Sequence, residues 1–530
     1  MNFDLGVAGA GTMGTGIAQL ACLAGTRTFL HDPDPDALVR GLQRIATRLS
    51  DGAQRGRWSE ADAAAATERL AAAPGLEELA SCGLVIEAAP ESLELKRALF
   101  ARLSEVVADD CVLATNTSSL AVTAVAAATT HPERVVGMHF FNPAPVMRLL
   151  EVVAGIHTGE PALARARAVG EAMGKVVIDA SDGPGFLVNR VNRPFQLEAQ
   201  RLLTEQIADA HEIDRIVRLG GGFRMGPFEL MDLVGIDVGF DIARSFHEQS
   251  FGEPRWRPTP LVARMVAAGL HGRKSGRGFY AYSDDGAPHR SADPPKPEVP
   301  PGASAAGLEE ALVVVAGESA LANELLDLGA LAGFDTRTPD EADGEVPFLI
   351  LDCGATEDDP PLQGGPQALL LQHGSLAALD PGGAAVGFHA LPPLAPGTLV
   401  ELTRSEDSSE AGAVAAERFF TALGCPVAWV GDAPGLVLGR IVCQLVNEAA
   451  FAVSEGVGTP ADVDAGVVHG LNYPRGILAW ADEIGLDHVL AVLDALAEEY
   501  REERYRAAPL LRRLVGSERL GRLTGEGFFA

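Results

Sequence analysis

Residues 3–21 read Phe3-Asp-Leu-Gly-Val-Ala-Gly9-Ala-Gly11-Thr-Met-Gly14-Thr-Gly-Ile17-Ala-Gln-Leu-Ala21, and their order decides the first domain. Asp4–Ala8 has strand character, Gly9-x-Gly11-x-x-Gly14 follows at once, and apolar residues then recur at helical spacing. The spacing of the glycines has a steric reason. One makes the tight turn, the next lets the backbone approach a pyrophosphate, and the third lets the helix pack against the strand. The helix start, with Thr12 and Met13, presents unpaired N–H groups to the phosphates. Asp32 ends the next strand candidate, 23 residues after Gly9. A carboxylate there can take both ribose hydroxyls and repels a 2′-phosphate, which selects NAD over NADP. Its plainer role is that of a turn residue in Asp32-Pro-Asp-Pro35.

Outward from this loop, strand candidates recur at Thr28–His31, Leu84–Glu87, 112–114, 135–139 and 176–179, with helical patterns between most of them. Alternating strands and helices predict a Rossmann-type α/β domain with a doubly wound, mostly parallel sheet over residues 1–183. Residues 34–73 leave room for two long helices. The helical period dominates 184–283 and predicts an all-α domain. Residues 284–306 hold six prolines and read as a linker. Strand-like runs return over 307–430, and 431–530 is again helical.

This order suggests duplication, and register tests it. At an offset of 250, Val136-Gly-Met-His139 meets Val386-Gly-Phe-His389, Glu151 meets Glu401, and Arg190 meets Arg440. Gly226, Asp232, Gly235 and Asp237 meet Gly476, Asp482, Gly485 and Asp487. The expected architecture is therefore a sheet domain plus a helical domain, repeated, with a degenerate second copy.

Composition excludes several classes. The 530 residues carry a net charge of −30, which repels nucleic acid and anionic membranes. No run of 18 residues is uniformly apolar, so no membrane span is expected. Six scattered cysteines without CxxC spacing argue against a disulfide scaffold or a structural zinc site, and no metal is expected. The N-terminus reads as a strand rather than a signal peptide, and a reducing cytoplasm is the expected compartment.

The polar residues of the first half cluster after strands. Ser118 lies in Thr115-Asn-Thr-Ser-Ser119, and His139 precedes Phe-Phe-Asn142. Glu151 interrupts Leu149-Leu-Glu-Val-Val153, where a carboxylate is costly without a partner. Ser118 and His139 fall at carboxyl ends of strands, where such a sheet binds ligands. His139 reads either as a satisfied structural histidine or as a general base oriented by Glu151, and Glu151 either as half of a buried ion pair or as that orienting group. Residue types alone leave both open.

Together the motifs GVAGAGTMGTGIA, VIEAAPESLELK, TNTSSL, GMHFFNPAPVMRLLEVV, DGPGFLVNR, MGPFELMDLVGID and GRKSGRGFY resemble the L-3-hydroxyacyl-CoA dehydrogenases over residues 3–282. LNYPRGILAWADEIG resembles a second copy of that family's helical domain, a doubled layout like that of bacterial 3-hydroxybutyryl-CoA or 3-hydroxyadipyl-CoA dehydrogenases. The resemblance implies NAD-dependent oxidation of a 3-hydroxyacyl-CoA in fatty-acid or phenylacetate breakdown. It makes His139 the general base, Glu151 its support, and Ser118 and Asn189 hydrogen-bond donors to the substrate. It places Glu91, Lys96, Asn142 and Lys274 along the NAD site. Coenzyme A phosphates need cations, and Arg48, Arg55 and Arg57 are the candidates; the alternative is a solvated basic helix face.

In the second copy, His389 and Glu401 keep the pair, but Gly439 replaces Asn189 and Pro392 replaces Asn142. Near Gly317-Glu-Ser319 only the first glycine of the loop survives, and Glu318 would oppose a pyrophosphate. The long helical insertion is absent. One active site per chain is expected, in the first half. The helical domains are expected to pair inside the chain as a pseudo-dimer, the alternative being a conventional homodimer. Competing functions are a dehydrogenase of a non-CoA hydroxy acid or sugar acid, and an NAD-binding sensor.

Overall fold

The computed structural model describes residues 3–529 except 298, 343, 360, 361 and 363. The first sheet contains β1 (Asp4–Ala8), β2 (Thr28–His31), β3 (Leu70–Ala73), β4 (Cys82–Glu87), β5 (Val112–Thr115), β6 (Val135–Phe140), β7 (Leu149–Ala154) and β8 (Val176–Ser181). Their order is β3-β2-β1-β4-β5-β6-β7-β8. Only β6 and β7 run antiparallel. The order reverses between β1 and β4, which creates the crevice where doubly wound sheets bind ligands. Helix α1 (Thr12–Leu23) buries Ile17, Ala18, Ala21 and Cys22 against the sheet. The expected helical pair is α2 (Pro35–Gln54) and α3 (Glu60–Arg69). Asp34 caps α2, Pro35 opens it, and Leu38, Ile45 and Leu49 form its buried stripe.

The second sheet contains β9 (Leu312–Ala316), β10 (Asp335–Arg337), β11 (Leu349–Asp352), β12 (Gln367–Leu370), β13 (Val386–His389), β14 (Val400–Thr403) and β15 (Val427–Trp429). Its order is β10-β9-β11-β12-β13-β14-β15, with the antiparallel pair again next to last, at β13 and β14. The strand directions repeat those of the first sheet, but among the described residues the place of the long pair α2–α3 is taken by the short helix Pro339–Ala342.

Compactness follows a different division from the five consecutive segments read along the chain. One compact unit is Met1–Arg190 with Glu455–Asn472, and the other is Val191–Ser454 with Tyr473–Ala530. The cause is a reciprocal exchange. In the first unit, helix Pro460–Leu471 packs on β7 and β8, Ser181 N donates to Val457 O at 2.9 Å, and Arg190 pairs with Glu455 at 2.8 Å. In the second unit, helix Ala210–Gly221 packs on β14, Gly431 N donates to Ile207 O at 2.7 Å, and Arg440 pairs with Glu205 at 2.5 Å. Each contact repeats the other at an offset of 250, with the two halves of the chain in exchanged roles, as in an isologous interface. Within the second unit, helices Arg193–Thr204 and Leu438–Ser454 pack along each other, and fully buried Arg440 also bonds Glu198 at 3.0 Å. The proline-rich stretch is tied down where Asp293 takes Arg218 bidentately, at 2.7 and 2.8 Å.

Candidate active site

The glycine loop has the shape that its spacing predicts. Gly9 has φ +119°, and a Cβ there would sit 2.5 Å from Ala88 O. A Cβ on Gly14 would collide with Gly9 O at 1.8 Å. An added Cβ on Gly11 meets nothing within 4 Å, so the space above the loop is open. No side chain caps α1, which leaves its first N–H groups for a ligand. Asp32 accepts from Ala10 N at 2.8 Å and Asp34 N at 3.0 Å, so it is fixed beside the loop. These features fit a dinucleotide with a free ribose diol. The second sheet contrasts with them. Gly317 keeps the turn, at φ +100°, but the Ser319 side chain caps Ala322 N at the helix start, and Glu318 lies between.

His139 and Glu151 stand directly opposite each other in the antiparallel β6–β7 pairing. His139 Nδ1 lies 2.6 Å from Glu151 Oε2. Glu151 is fully buried, and its other oxygen accepts from Leu187 N at 3.2 Å and Val188 N at 2.9 Å. The carboxylate that looked costly in an apolar strand is thus fully satisfied. Rings of Phe141 and Phe186 flank the imidazole at 4.6 and 5.7 Å. Since Nδ1 faces a carboxylate, it carries the proton, and Nε2 is the free base.

Ser118 follows β5, the neighbour of β6, and is exposed. Asn189 is half-buried in the Val188–Val191 turn of helix, directly after the N–H groups that hold Glu151. Glu91 shapes the serine loop: one oxygen accepts from Thr117 Oγ1 at 2.6 Å, Ser118 N at 3.0 Å and Ser119 N at 3.1 Å. Burial opposes its charge, but the Thr117 hydroxyl, Lys96 and the serine donors outweigh it and hold its carboxyl below the usual range. Lys96 is held by two carboxylates. It is fully buried, with its ammonium 2.7 Å from Glu87 and 3.4 Å from Glu91, so it ties the end of β4 to the loop that carries Glu91. Asn142 is exposed after β6. Lys274 belongs to the other compact unit, where Asp237 holds it at 2.6 Å. Arg48, Arg55 and Arg57 come together around a pocket of about 250 Å³ that also includes Thr12, Pro143 and Trp58.

Three contributors escaped the sequence reading. Asn116 Oδ1 accepts from Phe140 N at 2.9 Å and so ties the serine loop to the histidine strand. Asp182 caps Val122 N and Thr123 N after that loop. Trp58 packs on Gly52, where a Cβ would lie 1.9 Å from the indole. The Asn in Thr-Asn-Thr-Ser-Ser and the lone Trp in Arg57-Trp-Ser were the available signals.

The second copy keeps the residues of the pair but not the bond. His389 and Glu401 stay opposite in β13–β14, and Glu401 still accepts from Val437 N and Leu438 N at 2.7 and 2.9 Å. The His389 ring has instead turned to His488, Nε2 to Nε2 at 3.1 Å, and its Nδ1 makes no hydrogen bond among the described residues. Gly439 makes room: a Cβ there would lie 2.2 Å from His389 Cε1. Burial pushes the Glu401 carboxyl up to about 8 and the His389 imidazole well down. A protonated acid beside an uncharged, turned imidazole is not a base and its support.

Residues 4–183 match the family model described as "3-hydroxyacyl-CoA dehydrogenase, NAD binding domain". Residues 185–282 and 435–530 each match the C-terminal domain of the same family. A 3-hydroxyadipyl-CoA dehydrogenase of Escherichia coli K12 is 35% identical over 506 residues, 96% of each chain. A 3-hydroxybutyryl-CoA dehydrogenase of Mycobacterium tuberculosis is 42% identical over 280 residues, 52% of this chain and 98% of the relative. Among solved structures, that of 3-hydroxybutyryl-CoA dehydrogenase from Escherichia coli K12 superposes with a TM-score of 0.81 at 33% identity, covering 98% of this chain and 100% of the other.

Proposed function

The chain belongs to the 3-hydroxyacyl-CoA dehydrogenase family, whose members are NAD-dependent oxidoreductases acting on CH–OH groups, and from that premise we propose that its first half oxidises (S)-3-hydroxyacyl-CoA thioesters to 3-oxoacyl-CoA with His139 as the base. The observation that carries this reading is the 2.6 Å bond between His139 Nδ1 and buried Glu151. Gly9, Gly11, Gly14 and Asp32 would hold NAD, which when bound supplies the acceptor for the C3 hydride. His139 Nε2 takes the hydroxyl proton as the carbinol carbon loses electron density, and returns it in the reverse direction. Glu151 stabilises the imidazolium that results and keeps the ring in the productive tautomer. Ser118 and Asn189 offer hydrogen bonds to the substrate oxygens, and Phe141 and Phe186 keep water from the ring.

Arg48, Arg55 and Arg57 meet the coenzyme A phosphates, with Trp58 completing the pocket. In a chain of net charge −30, such a local cluster is what an anionic substrate requires. The reciprocal exchange of helices supports a covalent pseudo-dimer that assembles without a second copy; sedimentation across assay concentrations is expected to give the mass of one chain, and activity confined to a dimer overturns this. The six cysteines, all buried and free, suit a reducing cytoplasm. No helix among the described residues is long and apolar enough to cross a membrane. The decisive test is NADH absorbance with 3-hydroxybutyryl-, 3-hydroxyhexanoyl- and 3-hydroxyadipyl-CoA, on wild type and His139→Ala. Turnover by wild type that persists undiminished in His139→Ala refutes the assignment.

A further inference from the structure

Helix α1 carries a buried polar side chain that the glycine loop does not use. Gln19 lies in its second turn, is only 3% exposed, and its Oε1 accepts no hydrogen bond among the described residues. Native proteins seldom leave a buried amide oxygen in that condition, so its donor has to come from outside the chain. Gln19 lines the cavity of about 250 Å³ that Arg48, Arg55, Arg57 and Trp58 also line, and all five residues belong to one compact unit. None of the three guanidiniums has an ion-pair partner among the described residues. Trp58 Nε1 donates to Leu49 O at 2.8 Å, which anchors the indole and leaves its ring as an apolar wall.

The duplication supplies an internal control. One constant shift carries Gly9 to Gly317, Gly25 to Gly333 and Gln19 to Asp327. Gly25 and Gly333 follow the two matched helices and have φ +86° and +93°. Asp327 is exposed. Packing the first helix on its sheet therefore does not bury this position. In the first copy the cover comes from α2, which brings Arg48 and Gly52 to the cavity, and from the loop after β6. That loop closes onto α1 at Gly16, where a Cβ would lie 2.9 Å from Pro145 Cδ. The amide and its cover occur together, in the half that keeps the His–Glu bond.

We propose that Gln19 reads the adenine of the acyl-CoA substrate, its amide pairing with the exocyclic amine and the neighbouring ring nitrogen while Trp58 stacks on the base. This rests on the dehydrogenase reading above and makes the nucleotide end of the thioester a determinant of specificity. The phosphates of coenzyme A flank the ribose that carries the base, so cations that hold them keep the base within reach of the same cavity. A glutamine amide matches adenine with one donor and one acceptor side by side, and an indole face suits any planar base. A ligand without that amine leaves the buried oxygen unpaired, which is where such a site discriminates.

The test takes the acyl-CoA turned over fastest in the assay above and its etheno-CoA analogue, in which an added ring consumes the exocyclic amine. The full-length wild type is expected to favour the natural thioester in kcat/KM by at least about tenfold. Gln19→Met keeps an unbranched side chain but has no amide, and should bring that ratio close to one. A wild type indifferent to the etheno ring overturns the proposal without any variant. So does a Gln19→Met ratio equal to the wild-type ratio, since a packing defect slows both thioesters alike. NAD and etheno-NAD, compared in the same way, address the other adenine in the reaction. Their ratio should be the same in Gln19→Met as in wild type, and a collapse there assigns Gln19 to the cofactor and overturns the proposal. A wild type that binds NADH but oxidises none of the thioesters removes the dehydrogenase reading and the proposal with it, a result distinct from turnover without discrimination.

Discussion

Replacing Glu151 with Gln tests whether the buried acid orients a base or merely fills a hole. The shape is nearly unchanged, and the amide oxygen can still accept from Leu187 N and Val188 N, which now lie 3.2 and 2.9 Å from the carboxylate. The amide nitrogen must then face His139 Nδ1, across the present 2.6 Å contact. Two N–H donors cannot share that line, so the imidazole switches tautomer and carries its proton on Nε2. The neutral ring then has no lone pair where the substrate hydroxyl needs one, and the imidazolium loses its counter-charge. In a hydrolase triad the equivalent amide substitution lowers kcat by about 10⁴. A comparable effect here is about 5 kcal/mol of transition-state stabilisation. Stopped-flow or steady-state NADH absorbance gives kcat, and fluorescence titration of NADH reports cofactor binding, which should change less than about threefold because Glu151 lies outside the glycine loop. A Glu151→Gln enzyme with kcat within about tenfold of wild type refutes the orienting role.

Three further outcomes follow from the same geometry. His389→Ala should leave kcat and KM within about threefold of wild type whereas His139→Ala abolishes steady-state turnover, and the reverse pattern would move the active site to the second half. Glu401 binds its proton up to about pH 8 when folded and only up to its ordinary 4.5 when unfolded, so its stabilisation is complete below 4.5 and is lost as pH rises through about 8. Urea unfolding should show stability falling by up to a few kcal/mol across that window, with Glu401→Gln flattening the slope; an unchanged slope counts against the assignment. Arg55→Ala combined with Arg57→Ala should raise the acyl-CoA KM about tenfold, reduce its salt dependence and spare NAD binding, and a KM that does not move places these arginines on a solvated face.

The glycine loop and the strand–helix alternation were legible because each depends on short-range sterics and period. Strands β7 and β14 were not assigned as strands from sequence, nor was β15, a three-residue edge strand too short for a periodic signal. Sheet-interior strands buried on both faces lack alternation, and Glu151 inside β7 reads as an anomaly until Leu187 N and Val188 N supply its partners from a segment 36 residues away. Strand β3 is an alanine-rich run with weak strand propensity that only its pairing with β2 selects. The duplication was readable at a fixed offset, but the exchange of Ala210–Gly221 and Pro460–Leu471 was not, because packing partners leave no mark on a helix's own periodicity. For the same reason the pairing of Lys96 with Glu87, buried at 2.7 Å, had no mark in the sequence, where Lys96 entered only through the family resemblance.

The two copies also show why identical residues at identical register differ in chemistry. His139 and His389 both face a glutamate across an antiparallel pair, and both glutamates are held by two successive backbone N–H groups. One difference lies at residues 189 and 439. Glycine at 439 leaves a space into which the ring has turned, since any Cβ there would lie 2.2 Å from Cε1. On the proposed reading, the side chain at 189 would act in two ways, one through its amide and one through its Cβ. Asn189→Ala removes only the amide and should cost about 10–100-fold in kcat. Asn189→Gly removes both and frees the ring to leave Glu151. The position related to His488 is Val238, which offers no hydrogen bond to draw the ring away. The further loss is accordingly expected to be moderate, about tenfold below Asn189→Ala. The gap between the two variants is the measurement that matters, because it cancels whatever the amide contributes. Equal kcat for Asn189→Ala and Asn189→Gly would mean that the Glu151 bond alone holds the base, and that the turned His389 owes its position to His488 and not to Gly439.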